Sequence, residues 1–190
     1  MTARPNRAKG LSMTGTSRSL LALLTMFAGL LNAGPLQNPA IAPHARDLVV
    51  LEGDKLAPFD SARFLQAPFT ILYFGAGWCP DCRRFSPNLV AAYDHQPAGD
   101  NRFEVLLLSR DNNPEGMLKF MRSEKMNWPA LAFEKIAAAQ DLKRFYSGHG
   151  IPCLTVIDST GAIVLQSQDD QDANEVLQKL LKRLKKQNNR

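Results

Sequence analysis

Two cysteines separated by two residues, Cys79 and Cys82, are the side chains of this sequence best suited to chemistry. A thiol attacks a disulfide as its thiolate, and the amino terminus of a helix stabilises that anion. The stretch 69–74 (FTILYF) has the apolar, partly β-branched composition of a buried strand, and Pro80 stands where a helix favours its first residue. The sequence therefore predicts a strand, a short turn and a helix that begins at the cysteine pair.

This placement predicts a redox-active pair whose members have different roles. Cys79 would attack a substrate disulfide and form a mixed disulfide with it, and Cys82, one helical turn later, would resolve that bond. A zinc site uses the same spacing but needs four ligands, and Cys153 with three scattered histidines supplies no second pair. A short structural disulfide is the third interpretation, and the preceding Trp78 argues against it. No metal and no other cofactor is predicted.

Apolar runs and helical periodicities predict the elements that position this turn. Besides the strand at 69–74, the predicted strands are 48–51, 103–108, 153–157 and 162–165, and the predicted helices are 81–95, 114–125, 137–146 and 172–186. Ordered structure is expected to start near Asp47, after a proline-rich linker, and Pro87 is expected to kink the first helix. The succession of strands and helices predicts one domain of the α/β class.

The amino-terminal 42 residues are interpreted as a leader and linker, and residues 43–190 as the folded domain. Basic residues up to Arg18 precede an apolar run from Leu20 to Leu31, and small residues follow, which is the order of a secretory signal peptide. The apolar run is shorter than the ~20 residues that span a bilayer, so cleavage after Ala33 or Ala42 is expected, and no stable membrane span thereafter. The predicted location is extracytoplasmic, periplasmic or secreted. An uncleaved leader acting as a membrane anchor is the alternative.

The basic charge of the chain gives little support to a nucleic-acid partner. The formal net charge is +5, but four basic residues and no acidic ones lie before residue 20, so the rest of the chain has a net charge of only +1. The basic residues at 182–186 fall at the end of a predicted helix, where cations complement the helix dipole. No nucleic acid is therefore expected among the partners.

The segment 72–87 (LYFGAGWCPDCRRFSP) resembles the active-site segment of the thioredoxin superfamily, in particular its tryparedoxin and nucleoredoxin branch. Three further stretches resemble the same branch in the same order: 103–111 (FEVLLLSRD), 126–133 (MNWPALAF) and 150–158 (GIPCLTVID). The resemblance extends over roughly residues 48 to 185. It implies a thioredoxin-like fold, with a central mixed β-sheet flanked by helices on both faces.

The resemblance also implies roles for residues around the cysteines. Pro152 matches the cis-proline that faces the cysteine pair, and the backbone of Ile151 would pair with an extended substrate. Trp78 would pack beside the redox pair, or serve as an ordinary core aromatic. Tyr73 stands where thioredoxins have a buried aspartate that relays protons, so the proton route to Cys82 stays open.

Two residues depart from the pattern of the family. Asp81 puts a carboxylate between the two thiols, and the hypothesis is that it opposes the helix dipole at the Cys79 thiolate and makes the protein more reducing. Cys153 follows Pro152 where relatives have threonine, and it is either a small buried strand residue or a second redox group. Likewise, His149 is either a surface turn residue or a contact for a partner.

Together these residues predict a disulfide reductase. It would act on a disulfide-containing protein or small molecule and would be recharged by an unidentified electron-donor redox protein. An oxidase or isomerase using the same cysteines is one alternative. The other is a non-enzymatic adaptor that binds extended peptides across Pro152.

Overall fold

A computed structural model describes residues 37–97, 101–168 and 172–188, so the predicted leader lies almost entirely outside it. The described strands are β1 (Leu48–Glu52), β2 (Lys55–Pro58), β3 (Phe69–Gly75), β4 (Phe103–Ser109), β5 (Ala130–Leu131), β6 (Cys153–Asp158) and β7 (Ile163–Gln166). The described helices are α1 (Pro80–Asp94), α2 (Pro114–Ser123), α3 (Phe133–Ile136), α4 (Gln140–Lys143) and α5 (Ala173–Asn188). Short 3-10 helices at Ala42–Asp47 and Phe64–Gln66 complete the fold.

The strands of the described residues form one mixed sheet in the order β2-β1-β5-β4-β3-β6-β7. Its centre is the parallel pair β3 and β4, which runs from Phe69 beside Phe103 to Gly75 beside Ser109. Strand β6 lies antiparallel on the other side of β3 and brings Cys153 next to Phe74. Both neighbours of β3 therefore approach the turn that follows Gly75.

Alternation along β3 divides the hydrophobic core between the two faces of the sheet. Ile71 and Tyr73 point to the face covered by α1, α2 and α5. Leu72 and Phe74 point to the opposite face, which is covered by the chain around Ile41, the 3-10 helix at 64–66 and the segment that contains α4. Helices thus cover both faces, as predicted.

The structure corrects several predicted elements. Of the expected helix at 137–146 only the four-residue helix α4 forms, and the equally short α3 precedes that segment; the strands β2 and β5 were not predicted. Ordered structure begins before Asp47, because Asn38 and Ile41, assigned to the linker, are buried. Helix α1 is continuous through Pro87, and the kink expected there stays a prediction.

None of the helices within the described ranges combines the length and apolar character needed to cross a bilayer.

Candidate active site

The turn between β3 and α1 places the Cys79 sulfur at the amino terminus of a helix. Cys79 is the N-cap residue of α1, with extended backbone angles of φ −84° and ψ 117°, and Pro80 is the first helical residue. The Cys79 sulfur accepts the backbone N–H of Cys82 at 3.3 Å. This contact and the helix dipole both favour a negative charge on the Cys79 sulfur. The predicted strand, turn and helix are confirmed.

The two cysteines differ in how far solvent reaches them. Both are free thiols. Cys79 keeps 5% of its surface exposed, whereas Cys82 has none. Burial raises the pKa of the Cys82 thiol to about 12, and the neighbouring Cys79 acts in the same direction. Of the two thiols, Cys79 is therefore the more accessible from solvent.

The loop before β6 forms the wall opposite the cysteines. The peptide bond between Ile151 and Pro152 is cis, as the resemblance implied. The Cys79 thiol donates to the carbonyl oxygen of Ile151 at 3.5 Å. Ile151 and Pro152 thus lie beside the sulfur that would receive a substrate, where backbone groups could pair with an extended chain.

Trp78 lies on the surface beside this sulfur. Its side chain is 57% exposed, so the alternative of an ordinary core aromatic is wrong. The indole N–H donates to the carbonyl of Arg110 at 3.1 Å, which fixes the ring on the end of β4. The Gly77 N–H, in the turn between β3 and α1, donates a hydrogen bond to the Asp111 carboxylate at 3.0 Å. A groove of about 480 Å³ begins at Trp78 and runs along α2, lined by polar and charged residues and by Phe120.

Tyr73 is fully buried beneath the cysteine pair. Its hydroxyl lies 2.9 Å from the hydroxyl of Ser86, which in turn donates to the carbonyl oxygen of Cys82 at 2.8 Å. Burial raises the pKa of Tyr73 well above its ordinary value, with Cys82 as the next contribution, so the phenol stays protonated. Ser86 was missed by the sequence reasoning. Its position four residues after Cys82, one helical turn along, was the available signal.

The structure shows the exposure and the contacts of the residues whose roles the sequence left open. Asp81 and Arg84 are both exposed and form an ion pair one turn apart on α1. Cys153 is 1% exposed on β6 and contacts the Ser147 hydroxyl at 3.4 Å, which favours the small buried strand residue over a second redox group. His149 is an exposed residue of the loop before the cis bond.

Within the described ranges, no three histidine, cysteine or acidic side chains are grouped so that they could hold a metal ion.

Residues 69–163 of the chain match a protein-family model described as thioredoxin-like. Among curated proteins, the chain is 38% identical over 94 residues to tryparedoxin of Trypanosoma brucei brucei, covering 49% of this chain and 63% of that protein. It is 31% identical over 100 residues to nucleoredoxin of Xenopus laevis, covering 53% of this chain and 24% of that protein. The match thus spans less than two thirds of either relative.

Solved structures show the same similarity over longer stretches. Tryparedoxin from Trypanosoma brucei superposes with a TM-score of 0.54 at 29% identity, over 71% of this chain and 95% of that one. Thioredoxin from Wuchereria bancrofti gives a TM-score of 0.54 at 25% identity, over 73% and 96%. A tryparedoxin II complexed with glutathionylspermidine gives a TM-score of 0.53 at 29% identity, over 67% and 84%.

Proposed function

The chain belongs to the thioredoxin-like family, and we propose that it is a thiol–disulfide oxidoreductase that reduces disulfides of proteins or small molecules. One observation carries the proposal. The Cys79 sulfur caps the amino terminus of a 15-residue helix and is the more exposed of two adjacent thiols, with Cys82 buried one turn along. This arrangement separates an attacking thiol from a resolving one.

The reaction takes place in two exchanges. The Cys79 thiolate attacks one sulfur of the substrate disulfide, a mixed disulfide forms, and the other substrate sulfur leaves as a thiolate that takes a proton from water. Cys82 then loses its proton and attacks the Cys79 sulfur. The Cys79–Cys82 disulfide forms, and the second substrate thiolate departs and is protonated. Two electrons have passed from the dithiol to the substrate, and a reduced electron-donor protein must restore the pair.

Substrate would be held by the residues around Cys79. The Ile151 carbonyl, 3.5 Å from the Cys79 sulfur, lies where an extended chain on either side of a substrate cysteine would pass. The exposed indole of Trp78 offers an apolar surface at the same place. Because one similar structure contains glutathionylspermidine, conjugates of glutathione are included among the small substrates that we propose.

A trapping experiment tests the roles of the two cysteines. With Cys82 replaced by serine, the mixed disulfide on Cys79 has no resolving thiol, so we expect a stable adduct with a glutathione disulfide or with insulin, visible by intact mass. With Cys79 replaced by serine, we expect no adduct and no acceleration of insulin reduction by dithiothreitol above the uncatalysed rate. Cys153→Ser is the matched control, since that thiol is buried outside the pair, and it should retain the parent rate. An acceleration of insulin reduction that survives Cys79→Ser would contradict the proposal.

The redox potential distinguishes reduction from the alternatives. Thioredoxin has a redox potential of about −270 mV, whereas a disulfide isomerase and a disulfide oxidase have potentials of about −180 and −120 mV. Equilibration with dithiothreitol buffers should give a value close to the first of these. A value near the last two would favour an oxidase or isomerase. Unchanged peptide binding and an unchanged phenotype in a Cys79→Ser, Cys82→Ser double variant would favour an adaptor.

Export is part of the same proposal. The basic segment, the apolar run 20–31 and the small residues after it support a leader that directs the chain out of the cytoplasm. The reaction is compatible with that location, because substrates with disulfides are abundant there.

A further inference from the structure

The resolving cysteine lies above a short chain of buried hydrogen bonds. Ser86 is one turn further along α1, and its hydroxyl donates to the Cys82 carbonyl at 2.8 Å. The Tyr73 hydroxyl lies 2.9 Å from the same serine oxygen. Since the single hydroxyl hydrogen of Ser86 is engaged with the carbonyl, Tyr73 donates to Ser86 in this arrangement. All three residues are completely or almost completely buried.

The Tyr73 ring is held in one position by its surroundings. The rings of Phe85 and Phe120 lie 5.6 and 6.4 Å from it, centroid to centroid. The end of the ring crosses Gly75 so closely that a Cβ atom there would lie 2.7 Å from the hydroxyl oxygen. The neighbouring Cys82 thiol contributes to the raised pKa of Tyr73, so the phenol and this thiol influence each other electrostatically. The Tyr73 hydroxyl therefore has Ser86 as its hydrogen-bond partner and the sulfur that must ionise as a neighbour.

The resolving step, as proposed above, requires a thiolate where water does not reach. An anion in such a place needs hydrogen-bond donors supplied by the protein. The Ser86 hydroxyl can rotate, so its single hydrogen has two arrangements, directed at the Cys82 carbonyl or at the Tyr73 oxygen. In the first, Ser86 donates to the Cys82 carbonyl and Tyr73 donates to Ser86. In the second, Ser86 donates to Tyr73, which frees the phenol hydrogen for the Cys82 sulfur.

We propose that Ser86 is a positioning residue of the resolving step, which turns its hydroxyl from the Cys82 carbonyl to Tyr73 so that Tyr73 donates a hydrogen bond to the Cys82 thiolate. This inference rests on the proposed function. The carbonyl released by Ser86 keeps its helical partner, because the N–H of residue i+4 pairs with the carbonyl of residue i in an α-helix.

Protons and electrons balance without any proton transfer to the phenol. The Cys82 sulfur gives up its proton and forms its bond to Cys79, the bond between Cys79 and the substrate sulfur breaks, and the departing substrate thiolate takes up one proton, so that protons lost and gained are equal. Tyr73 remains protonated throughout, in agreement with its raised pKa. It acts as a hydrogen-bond donor to the anion and never as a base.

A symmetrical aromatic disulfide, 5,5′-dithiobis(2-nitrobenzoate), tests this inference because each exchange releases one coloured thiolate. In stopped flow, the first release reports the attack by Cys79 and the second reports the attack by Cys82. The variants are Ser86→Ala, Tyr73→Phe and the two combined. Tyr93→Phe is the matched control, since it removes a tyrosine hydroxyl that donates to Glu104 at 2.7 Å, remote from the cysteines.

We expect Ser86→Ala and Tyr73→Phe to slow the second release about threefold to tenfold at pH 7. Loss of a hydrogen bond to the Cys82 thiolate lowers the fraction of Cys82 that is ionised. The thiolate that remains is more nucleophilic, which offsets part of the loss. The first release should keep the parent rate. The pH profile of the second release should shift to higher pH. The combined variant should be no slower than Tyr73→Phe, because the two hydroxyls act as one unit.

Several outcomes would overturn the inference. They are a second release in Ser86→Ala with the parent rate and pH profile, an equal slowing of both releases, additive losses in the combined variant, or the same slowing in Tyr93→Phe. Failure of the proposed function looks different, because the first release would then be absent or independent of Cys79. Thermal unfolding of each variant verifies that the fold is intact.

Discussion

The Asp81 carboxylate lies in the first turn of α1, two residues after Cys79, and Arg84 forms an ion pair with it. An anion at this place disfavours the thiolate of Cys79 by repulsion and so favours the disulfide form of the pair. Arg84 offsets part of that charge. The reducing effect hypothesised for Asp81 is therefore the difference between two opposing charges on the helix surface.

Replacing one partner at a time separates these charges. Asp81→Asn removes the repulsion and should raise the redox potential, whereas Arg84→Gln leaves the carboxylate unpaired and should lower it. Exposed pairs are worth about 0.2–1 kcal/mol, so each shift should be on the order of 5–20 mV. Equilibration with dithiothreitol or glutathione buffers measures both. At 1 M salt the two shifts should shrink, and shifts of the same sign would contradict the charge argument.

Residues whose role depends on a local pattern could be predicted from the sequence. Cys79 and Cys82 belong to a strand-turn-helix signature, and Pro152 belongs to a motif of known order. Ser86 and Gly75 could not be predicted in the same way. Their roles arise from contacts with the Tyr73 side chain, which exist only when β3 and α1 are packed together.

Strands that consist of long apolar runs were also predictable, because their signal lies in their own residues. Strands β3 and β4 are seven-residue segments buried along their whole length, so composition alone identifies them. Strand β5 has two residues and depends on its neighbours, since Leu131 pairs with Leu48 and Ala130 with Leu107. The alanines at 137–139 favour one helix by propensity, but the chain changes direction at Ala139, where ψ is 62°. Tertiary packing decided these elements.

Helix α1 is also tied to β4 at the end of the sheet away from the cysteines. The Tyr93 hydroxyl donates to the Glu104 carboxylate at 2.7 Å. Burial raises the pKa of Glu104 above its ordinary value of 4.5, with the hydrogen bond from Tyr93 opposing the shift. A raised native pKa means that the folded protein binds this proton more tightly than the unfolded chain does.

The stability contributed by Glu104 should therefore fall as the pH rises. Below pH 4.5 both states hold the proton, and above it the unfolded chain ionises first, so the free energy of unfolding decreases until the native carboxyl also ionises. Glu104→Gln removes this dependence while keeping an acceptor for Tyr93. Urea unfolding from pH 4 to 8 should show the variant gaining stability relative to the parent. A constant difference across that range would mean that Glu104 has an ordinary pKa in the native protein.

At the scale of the whole molecule, the folded part begins earlier than the linker composition indicated. The Asn38 N–H donates to the Leu65 carbonyl at 3.0 Å, and the Asn38 side-chain amide donates to the Asp158 carbonyl at 3.0 Å. Ile41 is completely buried in the core on the second face. Pro35, Pro39 and Pro43 gave this segment the composition of a linker, and its contacts with distant residues could not be predicted from its own sequence.

These contacts distinguish the two expected cleavage sites. Cleavage after Ala42 would remove Asn38 and Ile41, and the lost burial and hydrogen bonds should cost about 3 kcal/mol or more in the free energy of unfolding. Cleavage after Ala33 keeps them. We predict that the exported chain begins at Gly34, as intact mass would show. Purified chains that start at Gly34 and at Pro43 provide the stability comparison, and equal urea midpoints would contradict the packing argument.

The exposure of Trp78 also has a consequence for the tryptophan fluorescence of the protein. The chain has two tryptophans; Trp78 is 57% exposed and directly precedes Cys79, and Trp128 is fully buried in the core. Indole emission lies at longer wavelength in water than in an apolar interior, and a collisional quencher such as acrylamide reaches only the exposed ring. The native fluorescence spectrum therefore contains two separable signals, one that reports occupancy of the surface around Cys79 and one that reports whether the core is intact.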